Sequence, residues 1–148
     1  MEEKSAFETF ELNLPPVILG FLKETSSWTY YLSILGFIGI GLMILGGLFF
    51  SLAMNLMPGG NPYAGLGIDM SYFGMIYVVI ALFYFFPVLY LFNFSRKMKS
   101  ALSSNNNDDL TSAFSNLKSH YKFIGIFTIV IISLYVLIFV FAMIAGAM

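Results

Sequence analysis

His120 is the only histidine in the chain and the residue to which chemistry would first be assigned. Beside a hydroxyl and a carboxylate it could act as a general base; among further donors it could hold zinc. The sequence completes neither set. There is no cysteine and no second histidine, and a zinc site draws three or four protein ligands. Asp108 and Asp109 are near in sequence but belong at the far end of the same helix. No nucleophile elbow accompanies His120. Asp69 and Ser71 follow a run of turn residues and read as a helix cap. His120 itself reads as a residue of the water–lipid boundary. We assign no catalytic, cofactor-binding or metal-ligating residue, and expect neither a cofactor nor an enzyme.

The elements around these residues explain the shortage. The 148 residues are 59% hydrophobic and only 10% charged, where a soluble domain carries about 25% charge. Seven basic and eight acidic residues cannot cover the surface of a water-soluble domain of this size. The same composition excludes a disordered chain. A net charge of −1 with no basic face argues against a nucleic-acid partner. What remains is an integral membrane protein.

Three charge-free apolar runs occupy residues 32–56, 72–94 and 123–148. Each exceeds the roughly 20 residues that a helix needs to cross about 30 Å of hydrocarbon. A spanning strand would be shorter and alternate in polarity. Helices are therefore expected. A signal peptide is excluded for the first run, because its leader is acidic and its apolar stretch too long.

Orientation follows from the cations. Lys4 and Lys23 precede the first span; Arg96, Lys97, Lys99, Lys118 and Lys122 lie between the second and third. The first loop has none. The positive-inside rule then places the N-terminus and the second loop in the cytoplasm and the C-terminus in the periplasm, across a bacterial inner membrane. Those five central cations should lie among anionic lipid headgroups.

The expected fold is an all-α membrane protein with three transmembrane helices and a short N-terminal interfacial helix. Residues 1–13 form a flexible tail. Residues 14–27 form the interfacial helix, started by Pro15 and Pro16 and apolar at Val17, Ile18, Phe21 and Leu22. The alternative is one helix running on into the first span. Then come the spans and their connections: 28–56, the outer loop 57–71, 72–94, a cytoplasmic helical hairpin 95–121, and 122–148. Trp28, Tyr30 and Tyr31 anchor the boundary. Leu110, Phe114, Leu117 and Tyr121 form one stripe that Met98 and Leu102 can face. Spans two and three thus make a long antiparallel hairpin extending into the cytoplasm. Its turn is 103–109, with Asp108 or Asp109 starting the next helix.

Within the spans, Gly36, Gly39, Gly46 and Gly47 share a face where another backbone could approach, first of all within this chain. Gly74 and Ala81 share a face of the second span, and Pro87 interrupts its inner third. On the third span Gly125, Thr128, Tyr135, Ala142 and Gly146 read as an inward seam. No span contains a charge, the usual mark of an ion path.

Two stretches carry a family likeness. One is Leu22-Lys23-Glu24-Thr25-Ser26-Ser27-Trp28 followed by 35–43. The other is Phe94-Ser95-Arg96-Lys97-Met98 with Leu110, Ala113, Phe114, Asn116, Leu117, Lys118, Ser119 and 123–126. Together they resemble an uncharacterised family of small multi-pass membrane proteins, mostly of Bacteroidota, known only as a domain of unknown function. The likeness runs from about Leu22 onward. It implies a multi-pass bacterial inner-membrane protein and supplies no activity. The expected role is a non-catalytic membrane interaction or structural module, as a homo-oligomer or with a membrane-protein partner. The alternative is an oligomeric channel or transporter-like subunit for small solutes.

Overall fold

The computed structural model describes residues 15–56, 65 and 69–146. The expected tail 1–13 and most of the expected loop 57–71 lie outside the described residues. Three helices account for nearly all of the rest: α1 (Pro16–Leu56), α2 (Ser71–Ser104) and α3 (Asn107–Gly146). All three are long and apolar enough to cross a membrane. At 1.5 Å per residue they measure about 50–60 Å, well beyond a hydrocarbon layer of roughly 30 Å. The helices form a row: α1 and α3 each pack on α2 and not on each other.

The separate interfacial helix is not seen. Residues 16–27 are the first turns of α1, unbroken into the span. Two causes keep them in line. The polar stretch before Trp28 contains no breaker, and its hydroxyls turn back on their own helix: Ser26 and Ser27 donate to Lys23 O, and Thr29 to Thr25 O. These turns also have a packing partner. Leu22 packs against the cluster of Phe94, Met98 and Ala113, and Ser95 Oγ donates to Ser26 O at 2.7 Å.

Small residues define the α1–α2 seam. On α1 it runs through Ser26, Thr29, Ser33, Gly36 and Ile40, three or four apart, and on to Gly47, seven further. On α2 it runs through Gly74, Ala81, Val88 and Ser95, each seven apart. That repeat of 3.5 keeps one stripe facing an antiparallel neighbour. The register is explicit: Gly47 lies on Gly74, Gly36 on Val88 and Ser26 on Ser95. A Cβ on Gly47 would sit 2.6 Å from Gly74 O, so the crossing requires glycine. Gly39 and Gly46, expected on the same face, have nothing within 4 Å of that position. The glycine stripe is thus divided between used and open positions.

The α2–α3 hairpin closes at Asn105, whose φ of 48° and ψ of 42° are left-handed, a conformation asparagine tolerates. Its N–H bonds Ala101 O. The cap of α3 is Asn106, not Asp108 or Asp109 as expected: Asn106 Oδ1 accepts the N–H of Asp108 at 2.9 Å. The aspartates occupy the first turn of α3, where their charge suits the helix dipole. From the tip, Met98 and Ala113 pack with Leu102, Leu110 and Leu117; the other two members of the expected stripe, Phe114 and Tyr121, are exposed, and Ala113 takes the facing position instead. Further on, phenylalanines take over. Phe86 meets Phe123 at 6.2 Å between centroids, and Phe83 stacks on Phe127 at 6.2 Å. Beyond Ile131, every described α3 residue is exposed.

Candidate functional site

The middle of the hairpin holds its most unusual contact. His120 is 8% exposed, and its Nδ1 lies 2.8 Å from Pro87 O. A carbonyl can only accept, so Nδ1 carries the proton and donates. His120 is held between two helices rather than turned to solvent. An imidazole buried there needs a partner. Pro87, also buried, lacks an N–H and clashes with a regular helical turn. The two irregular residues of the hairpin thus meet each other. Counting back along both arms from the Asn105–Asn106 tip brings His120 within a turn of Pro87, a signal the sequence held.

The contact closes one end of a groove of about 440 Å³ between α2 and α3. His120 lies at the end nearer the hairpin tip, Phe83 and Phe127 form its walls, and Thr128 and Ile131 line the α3 side. No side-chain nitrogen or oxygen fully buried among the described residues lacks a partner. His120 Nε2 makes no hydrogen bond among those residues, so it is not fully enclosed, and His120 lines the groove.

A second polar cluster staples the hairpin nearer its tip. Asp109 accepts from Lys97 Nζ at 2.9 Å and from Ser100 Oγ. The Ser100 hydroxyl first, and Lys97 second, hold the Asp109 carboxyl below its ordinary value. Lys97 is thereby paired. Lys99 Nζ sits 4.4 Å over the Tyr30 ring, and Arg96 lies 5.6 Å from the Phe92 centroid. The Lys99 contact ties α2 to Tyr30 of α1, while the Arg96 contact stays within α2. Lys118 and Lys122 are exposed on α3. At the opposite end of α2, Asp69 Oδ1 accepts the Ser71 N–H at 2.9 Å and the Ser71 hydroxyl at 2.6 Å. Those two bonds lower the Asp69 pKa; the cap position of α2 is Met70, and Asp69 holds the first residue of the helix from one position before it.

The expected inward seam on α3 is corrected. Tyr135 is 70% exposed and a Cβ on Gly125 would meet nothing within 4 Å. The face of α3 turned to α2 is Phe123, Phe127 and Ile131 instead. Of the expected seam, Thr128 lines the groove, while Gly125 and Tyr135 face away from α2. No group of three or more histidine or carboxylate residues that could hold a metal occurs among the described residues.

Residues 66–143 match the model described as Family of unknown function (DUF5362). The chain belongs to that family. The DUF5362 match contains the whole hairpin turn, the Asp109 staple, Pro87 and His120. It begins after α1. Of the two stretches that carry the family likeness, it covers the second and leaves out the first. No curated protein and no solved structure matches the chain.

Proposed function

We propose that this DUF5362 protein is a non-catalytic interaction module of a bacterial inner membrane, from a family found mostly in Bacteroidota. In this reading the N-terminus and the 95–121 hairpin are cytoplasmic and the end of α3 is periplasmic. The supporting observation is the outer half of α3. Residues 132–146 are apolar, free of charge and exposed on every side. In lipid such a helix needs no cover, so its faces are available to a second copy or to another membrane protein. On the far side of the molecule, Gly39 and Gly46 leave notches where a foreign helix backbone could approach. Arg96, Lys99, Lys118 and Lys122 would meet anionic headgroups at the inner surface, with the paired Lys97 contributing less.

Crosslinking in native membranes tests this role. A larger species is expected for the unaltered chain, and Gly39→Leu with Gly46→Leu should reduce it without unfolding the protein. Recovery of a monomer alone, with nothing captured beside it, would defeat the proposal.

A further inference from the structure

The hairpin groove has a polar end and an apolar length, and both dimensions fit one class of ligand. His120 to Ile131 is eleven residues of helix, a rise of about 16 Å. Half of a roughly 30 Å hydrocarbon layer is about the same distance. The groove therefore runs the depth of one leaflet. Its inner end lies just below the level of Arg96 and Lys118, where phosphates of the inner leaflet sit. A purely apolar crevice would take any lipid tail. This one ends on a side chain more than nine-tenths buried, with a nitrogen left for something outside the protein.

We propose that the groove is a specific site for one anionic glycerophospholipid of the inner leaflet. An acyl chain lies along Phe83, Phe127, Thr128 and Ile131, and the phosphate lies beside His120 Nε2. Nδ1–H is already engaged by Pro87 O. Nε2 meets the ligand as a lone pair or, in the imidazolium, as an N–H donor. The donor form suits a phosphate oxygen, and it brings positive charge to an anion in a low-dielectric setting. The Pro87 contact positions the ring: it fixes which nitrogen faces the groove and which way the imidazole points.

The inference rests on the membrane reading above. The test uses the full chain, purified and stripped of lipid, with phosphatidylglycerol and phosphatidylcholine titrated separately and bound lipid counted by native mass spectrometry. One phosphatidylglycerol should be retained per chain in preference to phosphatidylcholine. His120→Asn keeps an N–H to donate to Pro87 O and removes Nε2. It should leave thermal stability near that of the unaltered chain and weaken phosphatidylglycerol retention about tenfold, the loss of one charge-assisted hydrogen bond. Thr128→Trp fills the groove without touching His120 and should expel the same lipid. The 15N signal of Nε2 should move toward the protonated position when phosphatidylglycerol, but not phosphatidylcholine, is added. Equal retention of the two lipids, or undiminished retention by both variants, overturns the site. Failure to retain lipid of any kind overturns the site as well, whereas a chain recovered in the supernatant without detergent would strike at the membrane reading itself.

Discussion

The two seams of α2 are built on opposite principles. Against α1, α2 presents glycine, alanine, valine and serine at seven-residue intervals, and the helices stay close over their whole shared length. Against α3 it presents Met98 and Phe94 near the tip, then Pro87, Phe86 and Phe83. Beside Pro87 and Phe83 lies the groove, and contact ends near Ile131. Lipid tails are as apolar as leucine, so burial alone does not drive helices together in a membrane. Close packing needs small residues and matched shape. One face of α2 has them; the other exchanges them for rings and a groove.

The sharpest way to break this contrast is Gly74→Leu. Its Cβ would run into Gly47 O and the Ser51 backbone. The cost should reach about 3 kcal/mol, the upper range of overpacking, read as lost resistance to unfolding in detergent. Gly46→Leu, one residue from the crossing but open, should leave the monomer unaffected. His120→Ala should cost about 2 kcal/mol by removing a buried ring and its bond to Pro87 O. Ser95→Ala, which silences the only hydroxyl bridge between α1 and α2 among the described residues, should cost about 1 kcal/mol.

Smaller still is the Asp109 staple. A carboxyl whose folded value is depressed stabilises the hairpin above its unfolded value and loses that contribution as pH falls through the folded one. Amide exchange at residues 106–109 should therefore accelerate below about pH 4, and Asp109→Asn should give the fast rate at neutral pH. At the bottom of the scale is Leu137→Ala. With nothing packed on it, the change should stay within about 0.5 kcal/mol.

Sequence alone made the three helices and the hairpin legible, because charge-free runs of that length leave the backbone no alternative in lipid. Leu110 and Leu117 were legible for the same local reason, whereas Phe114 and Tyr121 of that stripe are exposed and the cap of α2 falls on Met70. What escaped was set by pairing between helices. The turns before Trp28 look amphipathic in isolation, yet Leu22 and Ser26 find partners on α2 that hold them in the axis of α1. The burial of His120 escaped as well, because only Pro87 placed opposite gives the ring a partner. The third-span seam, drawn from periodicity, assumed a neighbour on every polar face; the Phe83–Phe127 and Phe86–Phe123 contacts deny it one.

The role proposed for this molecule depends on which side of the bilayer the Asp109 staple occupies. The chain has no cysteine, so single substitutions report without background. A membrane-impermeant thiol reagent applied to intact cells should label Asp69→Cys and leave Asn106→Cys untouched until the membrane is opened. Labelling of Asn106→Cys in intact cells would contradict the account.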